Sequence, residues 1–364
     1  MDSGTVLETI HVAAYTVPTD GPESDGTLAW DATTIVVVEA RAGNVTGMGY
    51  TYGSSAVAVV VHEELVDVVV GRDVMDVGGS WEAMGAALRN VGRPGVGFMA
   101  VSAVDIALWD LKARVLDMPL IDLLPRFRDN VPVYGSGGFC SLSDDRLAEQ
   151  LAGWVERGIP RVKMKISRDP HRDPERLDAA RKGIGHEAQL FVDANGGLTR
   201  KQALDWAHRL RSEWDVSWFE EPVSSADVEG LRLVRDRGPG GLDVAAGEYA
   251  FVPADFRSLL DAVDCLQADV TRCGGITGLL HAGGTAAAHA LELSGHCAPQ
   301  VSAHALCGVE RLRHLEYFHD HVRVESLLFD GVLEPQDGVL RPDRSRPGLG
   351  LELKRSDAAP YRVR

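Results

Sequence analysis

Three carboxylate side chains recur at near-equal intervals, each at the end of a short apolar run. Asp193 lies in FVDAN, Glu220 in WFEEP and Glu248 in AAGEY, at successive intervals of 27 and 28 residues. Three such hard oxygen ligands suit Mg²⁺ and leave coordination positions open for a substrate. Since neighbouring side chains on a strand point to opposite faces, we expect only one of Glu220 and Glu221 to join the site. Taken singly, Asp193 could instead form an Asx turn and Glu248 could lie at a helix N-terminus.

Basic side chains with suitable spacing accompany these acids. Lys163 and Lys165, in RVKMKI, lie on one face of a predicted strand. Lysines are unusual in a strand covered by helices, although both could point to a solvated edge. Facing one site, each would lower the pKa of the other and make one a base near neutral pH. Asp269, in QADV, and His296, in SGHCAP, end neighbouring predicted strands, where the carboxylate would fix the imidazole tautomer.

His296 also has two alternative interpretations. His296 could be a structural histidine, as buried imidazoles often are. It could also join Cys297, His304 and Cys307 in a soft-metal cluster, although the paired Cys-x-x-Cys spacing of such sites is missing.

The predicted cation site, the lysines and the histidine together indicate an enzyme that removes a proton alpha to a carboxylate. That proton is a very weak acid, so the enediolate charge must be stabilised as it forms. A divalent cation does this while a base removes the proton from one face. A second acid/base on the opposite face can return a proton or expel a hydroxyl group.

The elements that would position these residues alternate regularly from Val131 onward. Eight apolar strand patterns and intervening helical patterns fill about 190 residues, which predicts a closed parallel (β/α) barrel. Residues just past the strand ends of such a barrel converge on one mouth. The strand patterns are VPVYGS, RVKMKI, QLFVDAN, VSWFEEP, LDVAAGE, CLQADV, LELSGH and LRHLEYF, with a helix predicted over 302–313 between the last two.

The first ~125 residues have a different pattern, with predicted strands followed by a helix, which is typical of an α+β domain. ETIHVAAYTV and TTIVVVEARA (33–42) are predicted strands, separated by the irregular loop PTDGPESDGTLAW. GMGYTYGSS (47–55) is interpreted as a glycine-rich link, and 101–116 as a helix stopped by Met118-Pro119. A chain of 364 residues exceeds one hydrophobic core, so two domains are expected.

Composition excludes several classes of function. The net charge of −16 argues against nucleic acid and against anionic lipid as partners. Five cysteines without framework spacing, and a start without a signal-peptide pattern, favour a cytoplasmic protein. The longest apolar runs are too short to cross a bilayer.

The motifs ALWDLKAR, KxK, DAN, EEP, GE, D-to-GGIT and PGLG, taken as a set, identify a family. The chain resembles the enolase superfamily, and within it the mandelate racemase subgroup, over nearly its whole length. The resemblance implies a modified (β/α)7β TIM-type barrel with an N-terminal α+β capping domain. It divides the chain into a cap (1–125, with specificity loops 18–28 and 47–55), a barrel (126–325) and a tail that returns to the cap (326–364).

By the same resemblance, the acidic triplet would bind Mg²⁺ and Lys165 would be one base. Lys163 would hold and tune a substrate carboxylate oxygen, and His296 with Asp269 would be the second base or acid. The remaining two residues that the resemblance assigns to catalysis or substrate contact are Asn195 in DAN and Glu316 in HLEYF. Glu316 could instead be an exposed glutamate at a helix start.

The implied activity is that of an acid-sugar dehydratase acting on a small carboxylate, with a homo-oligomer as the expected assembly. The stretch SGHCAP differs from the serine-rich approach of the subgroup's racemases and argues against mandelate as substrate. The acidic loop TDGPESDG favours an acid with one carboxylate and a neutral polyol end. A cluster formed by Arg168, His171 and Arg172 could oppose this by binding a distal anion, or be a solvated loop. The alternatives are a racemase or epimerase of a 2-hydroxy acid, and a barrel that binds metal and ligand without turnover.

Overall fold

A three-stranded antiparallel sheet begins the described part of the molecule, which in this computed structural model covers residues 5–364. The strands are β1 (Thr9–Ser24), β2 (Ala29–Ala42) and β3 (Val45–Tyr52), in the order β1-β2-β3. The apolar run of β2 is buried on both faces. Ile35 and Val37 pack into the core shared with the barrel, whereas Val36 and Val38 pack against the cap helices.

The first four cap helices cover the outer face of this sheet, and the fifth packs into the core shared with the barrel. They are α1 (Ala56–Val60), α2 (Val66–Val69), α3 (Val77–Ala87), α4 (Val96–Val115) and α5 (Leu120–Leu123), with a π-helical turn (Val61–Leu65) joining the first two. The prediction that 47–55 is a glycine-rich link is wrong, because most of it is β3. A Cβ atom on Gly47 would lie 2.3 Å from the backbone nitrogen of Leu111, and one on Gly49 would lie 2.3 Å from the carbonyl oxygen of Ala103. The glycines therefore allow α4 to lie directly on the strand.

The interpretation of 18–28 as a loop also needs correction. β1 continues to Ser24 and pairs with β2 again from Glu23, after a register shift between Pro18 and Glu23. The proline and glycines therefore produce a bulged ribbon, with its turn over residues 25–28. We call residues 18–30 the ribbon tip.

The predicted closed parallel barrel is confirmed, and each of the eight predicted strands is present. β11 closes the barrel by pairing with β4. The strands are β4 (Val131–Ser136), β5 (Arg161–Lys165), β6 (Gln189–Asp193), β7 (Val216–Glu220), β8 (Asp243–Ala246), β9 (Cys265–Ala268), β10 (Glu292–Gly295) and β11 (Leu312–Phe318).

Helices follow the strands around the outside of the barrel. They are α6 (Asp144–Glu156), α7 (Asp173–Ile184), α8 (Arg200–Trp214), α9 (Val228–Arg237), α10 (Pro253–Leu259), α11 (Gly275–Ala288), α12 (Pro299–Leu306) and α13 (His319–Leu328). The helix predicted over 302–313 is displaced: α12 begins at Pro299, where a proline suits a first turn, and ends before β11. No helix in residues 5–364 combines the length and apolar composition needed to cross a membrane.

The chain after α13 contacts both the barrel and the cap. It contains β12 (Phe329–Asp330), β13 (Val339–Leu340), β14 (Glu352–Leu353), α14 (Arg355–Ala358) and a 3₁₀ turn (Ala359–Tyr361). β13 pairs antiparallel with β4 of the barrel, whereas the Val363 N–H donates to the carbonyl of Ala14 in the cap at 2.9 Å. The division of the chain at 125 and 325 remains a prediction.

Candidate active site

Three acidic side chains lie together at the carboxyl end of the barrel because strand register aligns them. Asp193 ends β6 and pairs in register with Glu220, which ends β7. Glu248 lies just beyond β8, after a turn at Gly247, where a Cβ atom would lie 2.1 Å from the carbonyl oxygen of Gln267. One oxygen from each carboxylate lies within 4.8 Å of the others, and all three residues are buried. We call these residues the acidic triplet.

Two lysines neutralise part of the charge of the acidic triplet. Lys165 donates to Asp193 Oδ2 at 2.6 Å. Lys163 donates to Glu220 Oε1 and lies 2.8 Å from Glu316 Oε1, so both lysines face the barrel interior and not a solvated edge. Burial lowers the pKa of Lys165 and Lys163 lowers it further, but Asp193 and the other carboxylates raise it well above its usual value. The expected mutual lowering of the two lysine pKa values is therefore outweighed at Lys165 by the neighbouring carboxylates.

The acidic triplet fits a divalent cation. Burial raises the pKa of Glu220 to about 7, with Asp193 and Glu316 adding to the rise and Lys163 opposing it. Oε2 of Glu248 is buried without a hydrogen-bond partner. Crowded, partly unpaired buried carboxylates are costly unless a cation neutralises them, and oxygen-only ligands suit Mg²⁺. These three residues would hold the ion.

An imidazole and its carboxylate partner lie across the mouth from Lys165. His296 Nδ1 lies 2.7 Å from Asp269 Oδ2, and Oδ1 of Asp269 accepts from both the N–H and the hydroxyl of Thr271 at 2.7 Å. With Nδ1 bound in this way, Nε2 of His296 faces Glu248 Oε2 and Glu316 Oε2, each at 3.3 Å. Burial lowers the pKa of His296, but Glu248 and Glu316 more than offset this, so the pKa is raised.

The remaining two residues assigned by resemblance also lie in the mouth. Glu316 is buried in β11 and not exposed at a helix start. It lies between the carboxylate-holding lysine and the histidine, since it contacts both Lys163 and His296. Asn195 has a left-handed backbone (φ 45°), and its side-chain amide donates to Asp193 Oδ2 at 3.2 Å. Positive φ is more accessible to asparagine than to most residues, which explains DAN at this turn.

A cavity of about 240 Å³ opens beside these groups. Several of its lining residues were missed in the sequence. Arg272 donates to Glu248 Oε1 at 3.3 Å and lies 3.5 Å from Asp269 Oδ2, so it links the triplet to the histidine pair. Its position three residues after Asp269 was the available signal. Asp25 and Leu28, from the predicted specificity loop 18–28, also line the cavity, together with Trp30 and Asp320, which were missed.

Of the two glutamates in EEP, Glu220 belongs to the acidic triplet, whereas Glu221 is not among its members. Glu221 is also buried, with a left-handed backbone (φ 36°). Burial, and then Glu248 and Asp193, raise its pKa. Because β7 ends at Glu220, strand alternation is not what separates the two side chains.

The alternative clusters do not form in residues 5–364. The soft-metal group is not assembled: His296 and Cys297 lie with Glu316, whereas His304 and Cys307 do not join them. Arg172 pairs with Asp144 and Glu175 on the surface. Arg168 donates to the carbonyl of Leu28, at 3.1 Å, and therefore supports the ribbon tip.

Family models match most of the chain. Residues 9–125 match the mandelate racemase / muconate lactonizing enzyme N-terminal domain, and residues 146–358 match the enolase C-terminal domain-like family. The chain therefore belongs to the mandelate racemase / muconate lactonizing enzyme family of the enolase superfamily, as the motifs indicated, and it is an enzyme of lyase or isomerase type.

Individual relatives extend this result. The chain is 61% identical to a mandelate racemase/muconate lactonizing enzyme-like protein from Rubrobacter xylanophilus, with a TM-score of 0.97 over 98% of this chain and 100% of that chain. It is 32% identical to L-talarate/galactarate dehydratase of Salmonella typhimurium, covering 88% of this chain and 80% of the relative. A crystal structure of that dehydratase with Mg and L-lyxarohydroxamate has a TM-score of 0.91 at 28% identity, covering 100% and 94% of the two chains. The chain is also 31% identical to 3,6-anhydro-alpha-L-galactonate cycloisomerase of Streptomyces coelicolor, covering 96% and 98%.

Proposed function

We propose that this enzyme is a Mg²⁺-dependent dehydratase of a sugar acid. It removes the proton alpha to the carboxylate and expels the beta hydroxyl group, which leaves a 2-keto-3-deoxy acid. The observation that carries the proposal is the placement of two proton-transfer groups at opposite ends of the acidic triplet. Lys165 contacts the triplet at Asp193, and His296 contacts it at Glu248.

Each group has a defined role in this reaction. Lys165 accepts the alpha proton, and the electrons of the C–H bond pass into the enediolate. Bound Mg²⁺ would supply the positive charge that stabilises the enediolate and that lowers the pKa of the adjacent Lys165. Lys163 holds a carboxylate oxygen of the substrate.

The second half of the reaction uses the opposite side of the mouth. His296, protonated on Nε2 and held by Asp269, gives its proton to the departing hydroxyl group, which leaves as water. Glu316 hydrogen-bonds the substrate carboxylate, and Asn195 contacts the substrate from the turn after β6. Tautomerisation of the resulting enol gives the keto acid, so the atoms of substrate, product and water balance.

The far side of the cavity favours a substrate with one carboxylate. Asp25 lines it beside Leu28 and Trp30, so a distal anion would meet like charge there. Arg168 and Arg172 are occupied by the ribbon tip and by surface acids. We therefore propose an acid with a neutral polyol end, even though one relative is named for the dianion galactarate.

Racemisation or epimerisation is the second candidate, because the same two groups on opposite faces could exchange the alpha proton without loss of the hydroxyl. A non-catalytic binder is not favoured, since the similar proteins are named as enzymes. We further propose a cytoplasmic homo-oligomer.

A panel of aldonic and aldaric acids, incubated with the enzyme and Mg²⁺ in D₂O and followed by ¹H NMR, tests the proposal. A keto acid formed from a monocarboxylate confirms dehydration and the substrate class. Alpha-deuterium with inverted configuration and no keto acid shows a racemase or epimerase. Reaction with diacids alone overturns the monocarboxylate assignment, and no exchange with any acid overturns the activity.

A further inference from the structure

A second group of metal-binding side chains lies outside the mouth, between the ribbon tip and the barrel. Asp20 and Glu23 belong to the ribbon tip, whereas His319 is the first residue of α13, directly after β11. His319 Nε2 lies 3.0 Å from Asp20 Oδ2. One ligand atom from each of the three residues lies within 4.8 Å of the other two.

Glu23 is the member of this group that is incompletely satisfied. The residue is only 3% exposed. Oε2 accepts from the indole N–H of Trp30 at 2.7 Å, but Oε1 is buried without a partner. Burial, and then the neighbouring charge of Asp320, raise the pKa of Glu23 to about 8.

The nearby arginines do not pair with the open oxygen of Glu23. Arg323 is paired with Asp320 at 2.6 Å, and Arg146 lies at the rim of the adjoining cavity, where its partner is Glu149. Arg323 lowers the pKa of Glu23 less than burial and Asp320 raise it. Glu23 is therefore a buried carboxylate with an unpaired oxygen, next to a second carboxylate and an imidazole. Positive charge at this place would offset the cost of burying it.

We propose that Asp20, Glu23 and His319 form a second divalent-cation site, which takes a transition-metal ion of the Zn²⁺ or Co²⁺ class and fastens the ribbon tip to the barrel. An imidazole with two carboxylates suits such ions, whereas the oxygen-only acidic triplet suits Mg²⁺. The Asp20 side chain is 55% exposed, which leaves room for a water ligand.

The three ligand atoms can reach this coordination by side-chain rotation, since they lie within 4.8 Å of one another. Zinc–nitrogen and zinc–oxygen bonds of about 2.0–2.2 Å place tetrahedral ligand atoms roughly 3.4 Å apart. His319 and Asp20 are already closer than this, and Glu23 completes the set. The ribbon is also held in place, since the carbonyl of Pro22 accepts from Ser141 at 2.6 Å and that of Ser24 accepts from the Cys140 N–H at 2.7 Å.

A cation here would also act on the mouth of the barrel. Trp30 lines the active-site cavity and donates to Glu23, so an ion that keeps Glu23 ionised fixes the position of the indole. The site thus connects cation binding to the position of Trp30 in the cavity wall, and it does so independently of turnover.

Cobalt(II) absorption and equilibrium dialysis, in millimolar Mg²⁺, test the proposal. We expect one tightly bound Co²⁺ per chain in the wild type and in Glu248→Gln. His319→Ala and Asp20→Asn should each weaken binding at least tenfold. His186→Asn, an exposed histidine in the loop after α7, is the matched control and should bind as the wild type does.

Hydrogen exchange of residues 18–28 gives a second readout. Co²⁺ should slow exchange there in the wild type and not in Asp20→Asn, an exposed substitution that leaves the buried core intact. The proposal is overturned if Co²⁺ binding is lost in Glu248→Gln and retained in His319→Ala, because the ion would then occupy the acidic triplet. It is also overturned if the wild type binds Co²⁺ with no change in exchange at 18–28.

Discussion

Two sets of buried carboxylates in this enzyme have opposite surroundings. At the seam between cap and barrel, Asp105 of α4 accepts from the N–H of Thr277 at 3.0 Å and from its hydroxyl at 2.6 Å. Glu325 of α13 likewise accepts from Tyr50 of β3 at 2.6 Å. Each seam carboxylate lies apart from other acidic side chains and accepts hydrogen bonds from uncharged donors. The acids of the mouth crowd one another instead, and lysine ammonium groups hold them.

The difference corresponds to two roles. The seam carboxylates stabilise the fold, whereas the carboxylates of the mouth are placed for catalysis. Neutral donors at the seam fix the orientation of α4 on the start of α11, and thereby place the cap over the mouth. The acidic triplet has more negative charge than its donors satisfy, as the open oxygen of Glu248 and the raised pKa of Glu220 show. Buried carboxylates with such an excess of negative charge are stable when a bound cation offsets that charge.

Loss of one proton-transfer group at the mouth should have the largest effect on activity. Lys165→Ala should reduce both alpha-proton exchange and keto-acid formation by about 10³-fold, since a positioned general base contributes roughly 10²–10⁴-fold. His296→Asn should reduce keto-acid formation to a similar extent but retain deuterium exchange, because Lys165 still removes the proton. Parallel NMR assays in D₂O measure the two rates.

Lys201→Ala, on the exposed face of α8, is the matched lysine control and should keep wild-type rates. Equal loss of exchange and dehydration in His296→Asn would contradict the division of roles between the two sides. Wild-type rates in both mouth variants would refute the assignment of either residue.

The same acid-to-amide change should have opposite consequences in the two regions. Mg²⁺ at 100 times its Kd should stabilise the wild type by about 2.7 kcal/mol, because it binds only the folded state. Glu248→Gln should lose this gain and, without Mg²⁺, unfold at the same or a higher temperature, because one repelling charge is gone. Asp105→Asn should keep the full Mg²⁺ response. Thermal unfolding with EDTA or Mg²⁺ measures this, and a retained response in Glu248→Gln would remove that residue from the metal site.

The comparison also explains how much the sequence could predict. Acids at regular intervals past apolar runs predicted a barrel and a shared mouth, because closing parallel strands aligns their ends whatever the helices do. Asp193 and Glu220 are in register for this reason. The raised pKa of Lys165 was not predicted, since it depends on distances to several carboxylates at once.

Features that depend on two distant segments were the ones missed. Gly47 and Gly49 resemble a flexible link in sequence, but they are needed because α4 packs on β3. The group of Asp20, Glu23 and His319 spans 299 residues of sequence and has no local pattern. Asp105 falls among apolar residues of α4, and its partner Thr277 could not be inferred from spacing.

The smallest expected effect is a pH dependence that arises at the seam. Burial raises the pKa of Asp105 from 3.8 to about 7, against the opposing hydrogen bonds from Thr277. The folded state therefore holds a proton that the unfolded state has already released, so the free energy of unfolding falls as pH rises from about 4 to 7. Between pH 6 and 8 the loss should be about 1.4 kcal/mol, and little more is lost above pH 8.

Asp105→Asn cannot titrate, and it can still accept from the backbone N–H of Thr277. The difference in unfolding free energy between variant and wild type should therefore change in favour of the variant by that amount over this range. Urea denaturation at several pH values measures the difference, and other groups that titrate there, such as Glu325, cancel in the subtraction. A constant difference would show that the seam carboxylate is ionised throughout, and that hydrogen bonds from Thr277 outweigh its burial.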